Sequence, residues 1–314
     1  MKRAVIFPGQ GSQHVGMCKD LYDNFQIVRD MFEKMDSIMG YKLSKIILEG
    51  PTNDLTLTKN AQPAIMTVSM SLLRVFSNIL GISDISTFFQ YTAGHSLGEY
   101  TALCASGAIN FEDSLELLKI RGNAMHDASS KSETSMAACI GISAEKLTSI
   151  IEENANGSIC EIANDNSKSQ VVISGEKYFV EEITEKVKKL GFRAILLNVS
   201  GAFHSRFMIP AQNVMESALN KITFKSPTIP ILLNTTAKIC NKPSKIKNNL
   251  VDQIVSTVRW REIMEEFDSL KVEEIIEIGP SKVLSNLFKN TDGKIKLFSI
   301  SSLSQIKKFI STIA

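Results

Sequence analysis

The chain has 314 residues, 44% hydrophobic and 22% charged, with a net charge of +2. That length supports a large core, in one large domain or two smaller ones, and so balanced a charge argues against a nucleic-acid partner by bulk electrostatics. The five cysteines (Cys18, Cys104, Cys139, Cys160, Cys240) show no C-x-x-C spacing, which argues against a zinc site or a disulfide framework and predicts reduced thiols in a cytoplasmic protein.

Ala4-Val5-Ile6-Phe7 reads as a buried strand, stopped by Pro8 and the glycine loop Gly9-Gln10-Gly11. The apolar run is too short for a secretion signal. No window approaches the roughly 18 apolar residues of a membrane span, so no membrane association is expected. Helical patterns follow at about 21–35 and 61–80. Phe88 to Ala93 then reads as a strand, and Glu99 to Ala105 as the start of a helix. Phe111 to Ala128 is amphipathic, with Leu115, Leu117, Leu118 and Met125 on one side.

The polar stretch Ser129 to Thr134 reads as a hinge linker. After it the pattern is strand (Ser135–Ile142), helix (Ala144–Asn154), strand (Cys160–Asn164), strand (Gln170–Ser174), helix (Lys177–Leu190), strand (Arg193–Leu197). That β-α-β-β-α-β order is the ferredoxin-like split motif. A small subdomain, 129–195, is therefore expected inside a larger one made of 1–128 and 196–314. In the larger part a helix is expected at about 208–221, strands at Ile229–Asn234 and Glu274–Ile278, and a helix at Lys282–Phe288. Strands alternating with helices predict a parallel-sheet α/β core.

Between the strand and helix around it, Gly94-His95-Ser96-Leu97-Gly98 fits the G-x-S-x-G nucleophile elbow. Such a turn projects the serine hydroxyl into a cleft. An activated Ser96 needs a base, and the chain has four histidines: His14, His95, His126 and His204. His95 is next to the serine and points away from it, as a wall of the site. His126 lies late in a helix, where packing or solvent is expected. His14 follows the glycine loop, where it either lines the cleft or is solvated. His204, in the loop Gly201 to Ser205, is the best base. The group orienting it stays open between Asp165, Asp252, Glu277 and a backbone carbonyl. The oxyanion hole would take one N–H from Leu97, by the elbow's geometry, and one from Gln10. Arg121 either binds a carboxylate with its planar guanidinium or is an exposed helix arginine.

Taken together, Phe7-Pro8-Gly9-Gln10-Gly11-Ser12-Gln13, Gly94 to Tyr100, Arg121-Gly122, Gly201 to Ser205, Gln253 and Glu277-Ile278-Gly279-Pro280 resemble the malonyl-CoA:acyl carrier protein transacylases, over essentially the full chain. The resemblance implies an α/β-hydrolase-like core with a ferredoxin-like insertion. It implies Ser96 as the acylated nucleophile, His204 as its base, Gln10 and Leu97 as oxyanion donors, and Arg121 as the partner of the malonyl carboxylate. It also implies that Gln253 orients His204 through its main-chain carbonyl, and that Asn164 and Asn166 lie near the cleft. Gly201-Ala202-Phe203-His204 resembles the malonyl-selective form of the loop, and not the Tyr-Ala-Ser-His form associated with methylmalonyl units; Phe203 fills space that a branched acyl chain needs. Val255-Ser256-Thr257-Val258 departs from the family's Tyr-Asn-Pro-Val, and losing that proline is expected to loosen the loop beside His204.

The implied partners are malonyl-CoA and a phosphopantetheinylated acyl carrier protein, acting on a monomer with no cofactor and no metal. Lys238, Lys242, Lys245 and Lys247, and the run Lys186-Val187-Lys188-Lys189, are candidate docking edges for an acidic carrier. Three rival readings remain: a stand-alone acyltransferase serving a polyketide synthase, a hydrolase clearing acyl groups from carrier proteins, and a non-enzymatic carrier-binding scaffold.

Overall fold

Short apolar strands alternating with helices build two sheets. A computed structural model describes residues 1–199, 201–288 and 295–313. The strands in chain order are β1 (Arg3–Phe7), β2 (Tyr91–Gly94), β3 (Thr134–Ile140), β4 (Cys160–Ser167), β5 (Gln170–Glu176), β6 (Arg193–Leu196), β7 (Ile231–Leu232), β8 (Ile239–Cys240), β9 (Glu274–Ile278) and β10 (Lys296–Ile300). The larger sheet has the order β10-β9-β1-β2-β7-β8. It is parallel from β10 to β7, with β8 antiparallel at the edge. Ala4 to Phe7 and all of β9 are buried, as expected for parallel strands covered by helices on both faces.

The register of this sheet positions the site. Phe7 pairs with Gly94, so the glycine loop after β1 and the elbow after β2 leave the sheet side by side. Both lie at the carboxyl ends of parallel strands, where ligands bind in open α/β sheets. The close approach demands glycine. A Cβ on Gly98 would stand 2.3 Å from the Phe7 carbonyl oxygen, and one on Gly94 1.8 Å from the Gly98 carbonyl oxygen.

The smaller sheet is antiparallel, in the order β4-β5-β3-β6. With the helices Ala144–Asn154 and Lys177–Lys189 it forms the split β-α-β-β-α-β arrangement. Alternation along β3 and β5 gives it two buried faces. Ala137, Cys139, Val171 and Ile173 pack with Leu147, Phe179, Ile183 and Val187 beneath the helices. Met136 and Val172 face the main core instead. The last strand ends at Leu196, one residue past the expected limit of the insertion.

Several elements differ from expectation. Phe88 and Phe89 are not in β2; they follow a 3₁₀ turn at Ile85–Thr87 and pack edge-on at 5.0 Å in an aromatic cluster with Phe76 and Phe309. The strand expected over 229–234 shrinks to Ile231–Leu232, which frees Asn234 for the site. The helix Thr58–Leu80 is long and apolar enough to cross a membrane by length and composition, which the expectation of no such window missed. Of that window 72% is buried, so its apolarity serves the core.

Candidate active site

The strand-to-helix turn holds Ser96 at φ 53, a left-handed conformation that non-glycine residues avoid unless the surroundings enforce it. The Ser96 N–H donates to Asn234 Oδ1 at 2.8 Å, and Asn234 Nδ2 donates to the Gly94 carbonyl at 2.7 Å, so Asn234 clamps both arms of the turn. The helix that follows, Gly98–Ala105, starts immediately behind the serine.

His204 also sits at positive φ, 57. Its Nε2 lies 2.8 Å from Ser96 Oγ, and its Nδ1 lies 2.8 Å from the backbone oxygen of Gln253. The carbonyl can only accept, so Nδ1 carries the hydrogen and Nε2 is free to accept from the serine. Burial, reinforced by the nearby Arg121 charge and opposed by the Gln253 carbonyl, pushes the His204 pKa down to about 3. The imidazole is therefore neutral at physiological pH, with the Nε2 lone pair free to accept a proton. Of the candidate orienting groups, the backbone carbonyl of Gln253 is the one hydrogen-bonded to His204 Nδ1. Asp165 pairs with Arg261 at 2.8 Å, and Glu277 accepts from the N–H groups of Leu284 and Ser285 at the start of a helix.

Arg121 is not an exposed helix arginine. It is 1% exposed, reaching from the helix Phe111–Ser129 to the Ser96 hydroxyl. Nη1 donates to Gln62 Oε1 at 2.8 Å; Nη2 donates to Gln253 Oε1 at 2.9 Å and to Ser96 Oγ at 3.1 Å. The Tyr100 ring lies 5.7 Å from the guanidinium. A guanidinium held this way, buried beside the Ser96 hydroxyl, suits a planar carboxylate.

These groups open onto one cavity of about 310 Å³, lined among others by Gln10, His95, Ser96, Leu97, Arg121, Asn164, Phe203 and His204. Asn166 meets the site through His95, whose Nε2 lies 2.8 Å from Asn166 Oδ1. His95 also packs edge-on to Trp260 at 5.5 Å, so it forms a wall, and burial pushes its pKa down. The loop after Gln253 is tied down without its proline. Thr257 Oγ1 donates to the Ile162 carbonyl at 2.6 Å, Val258 N–H to Ala163 at 2.9 Å, and Asp165 N–H to Val258 at 3.0 Å.

Gln62, Glu99, Asn234 and Asn249 escaped the sequence reading. The available signals were polar: Gln62 within a largely apolar helix, and Glu99 heading the apolar run Tyr100 to Ala105. Glu99 is fully buried and accepts from Asn234 N–H at 3.1 Å, from Asn249 Nδ2 at 2.9 Å and from Gln253 Nε2. Burial pushes its pKa up to about 7, against these hydrogen bonds and the Arg121 charge.

The family model described as the acyl transferase domain matches residues 5–300. The malonyl CoA-acyl carrier protein transacylase of Bacillus subtilis is 39% identical over 314 residues, covering 99% of this chain and 97% of that protein. Among solved structures, the acyl-carrier-protein-S-malonyltransferase of Bartonella henselae superposes with a TM-score of 0.95 at 42% identity, covering 100% of this chain and 99% of that one. A chain from a type II PKS acyl-carrier protein in complex with its malonyl-transacylase matches with a TM-score of 0.94 at 33% identity, over 99% of this chain and 100% of that one. With its serine, histidine and arginine gathered on this fold, the chain belongs to the acyl transferase family.

Proposed function

We propose that the protein transfers a malonyl group from malonyl-CoA to the phosphopantetheine thiol of an acyl carrier protein, through an acyl-enzyme on Ser96. One arrangement carries this reading. Ser96 Oγ lies 2.8 Å from the base His204 and 3.1 Å from a buried guanidinium that suits the malonyl carboxylate.

His204 Nε2 takes the Ser96 proton as Oγ attacks the thioester carbonyl. The N–H groups of Leu97 and Gln10 stabilise the oxyanion. The C–S bond breaks, CoA leaves with the proton from His204, and malonyl stays as the Ser96 ester. The carrier thiol then gives its proton to His204 and attacks the ester, releasing malonyl-carrier and restoring the Ser96 hydroxyl. Arg121 holds the distal carboxylate throughout, and Phe203 narrows the space beside it. The chemistry needs no cofactor and no metal. The segment from about 129 to 195 acts as a small subdomain forming one wall of the cleft, through Asn164. The product serves fatty acid or polyketide synthesis.

Intact-protein mass spectrometry tests the reading. The protein is mixed with malonyl-, methylmalonyl- and acetyl-CoA together, then chased with holo carrier protein or buffer. A malonyl adduct that survives buffer and moves to the carrier is expected. An adduct lost to water, or a preference for acetyl, overturns the reading in favour of a hydrolase.

A further inference from the structure

The side chain of Gln253 is caught between opposite demands. Arg121 Nη2, which can only donate, needs an oxygen and finds Oε1 at 2.9 Å. The ionised Glu99 carboxylate and the Ser96 carbonyl, which only accept, need hydrogens and find Nε2, at 3.0 Å for Ser96. The amide's orientation follows from these partners. Glu99 is itself fully engaged: Oε1 takes the Asn234 N–H and Asn249 Nδ2, leaving Oε2 for Gln253. No step of the proposed chemistry uses this carboxylate, yet it is 0% exposed, so its desolvation cost is met by the hydrogen bonds it accepts.

We propose that Glu99 is a positioning residue for carboxylate recognition: as an acceptor it fixes the Gln253 amide with its NH₂ inward and its Oε1 on Arg121, which keeps the guanidinium aimed at the acyl group on Ser96. The backbone carbonyl of Gln253 orients His204 separately, and the Glu99 carboxylate meets the Ser96 turn only indirectly, through the Asn234 N–H, so Glu99 acts on the choice of acyl group more than on the serine–histidine pair. The inference rests on the malonyl-transfer reading.

The isosteric change Glu99→Gln isolates the effect. An amide at 99 turns an NH₂ either onto the Gln253 NH₂ or onto Asn234 N–H and Asn249 Nδ2. If Gln253 flips to escape, its NH₂ meets Arg121. Each arrangement sets donor against donor. Glu99→Asp shortens the side chain but keeps an acceptor. The experiment measures Ser96 acylation of wild type and both variants in competing malonyl-CoA and acetyl-CoA, with kcat and KM for each donor and the melting temperature. In Glu99→Gln the malonyl-over-acetyl ratio of kcat/KM is expected to fall about tenfold, mainly through a higher malonyl KM, as for loss of one hydrogen bond to a charged group. Glu99→Asp is expected to hold the ratio within about threefold of wild type.

Equal losses with both donors, or a larger selectivity loss in Asp than in Gln, would show that Glu99 only packs, and would overturn the inference. Should the Gln variant not fold, the Asp variant decides alone, by keeping or losing the ratio. A wild-type protein that forms no malonyl adduct sinks the functional reading instead, so the two failures are distinguishable.

Discussion

Arg121 Nη2 stands 3.1 Å from Ser96 Oγ, so the guanidinium proposed to bind the substrate carboxylate also touches the proposed nucleophile. On the proposed roles, binding and attack share one hydroxyl. Arg121→Ala is expected to lower malonyl acylation on the order of 100-fold, the scale of removing charge-assisted hydrogen bonds from a buried site, and acetyl acylation far less. Competition labelling with the two thioesters measures the ratio. An unchanged preference for malonyl would remove Arg121 from recognition.

Ser96 Oγ and His204 Nε2 lie 2.8 Å apart, and the proposed chemistry uses them as a pair. Ser96→Ala and His204→Ala are each expected to cut transfer on the order of 10³-fold or more, and the double variant to cost little beyond either alone. Fully additive losses in steady-state transfer would show that the two residues do not share one step.

The elbow tolerates no side chain at Gly98, where a Cβ would stand 2.3 Å from the Phe7 carbonyl oxygen. Gly98→Ala is expected to destabilise the fold by about 3 kcal/mol, because the contact is with backbone that cannot swing away. It also pushes Leu97 from Gln10, so acylation falls with stability. Thermal unfolding read beside the acylation rate checks both. A variant that melts like wild type would mean that the two loops are less closely packed than described.

His204 has a pKa of about 3 when folded, against 6.5 as the ordinary value. Its contribution to stability is complete above pH 6.5 and is lost as pH falls from there toward 3, because only the unfolded chain takes up the proton in that window. At pH 5 the loss is about 2 kcal/mol. Glu99, raised to about 7, has the opposite sign: its contribution is present below 4.5 and is lost as pH rises from 4.5 to 7. Comparing wild type with His204→Gln cancels the Glu99 effect. The wild-type unfolding free energy minus that of the variant is expected to fall by about 2 kcal/mol between pH 7 and 5, and parallel curves would contradict a buried neutral imidazole.

The candidate docking lysines are partly neutralised by their neighbours. Lys238 reaches Glu266 at 3.0 Å, Lys186 reaches Glu182 at 3.3 Å and Lys188 reaches Glu185 at 2.7 Å. We therefore expect Lys242 and Lys245 to matter more to an acidic carrier. Lys242→Glu combined with Lys245→Glu is expected to raise the KM for holo carrier protein several-fold at low salt and to leave malonyl-CoA acylation unaffected. A carrier KM insensitive to salt and to these changes would place docking elsewhere.

Much of this protein was legible locally. The G-x-S-x-G turn, the glycine loop after β1 and the β-α-β-β-α-β order depend on turn chemistry and on periods of 2 and 3.6 residues, which act within a few residues of the chain. Those rules located Ser96 and singled out His204. Strand ends were less legible, because pairing partners and not propensity decide where a ladder stops: Phe88 and Phe89 have strand character but join an aromatic cluster.

The tertiary structure alone decided the rest. It set the Gln253 carbonyl that the resemblance implied, and none of the three carboxylates, against His204 Nδ1, buried Arg121 against Gln62 where an isolated helix would expose it, and gathered Asn234 and Asn249 on Glu99. Glu99 and Asn249 are 150 positions apart. No local pattern carries such a contact, because a buried polar group is satisfied by whatever donor or acceptor the packed elements bring to it, and that is settled only when the sheet order is complete.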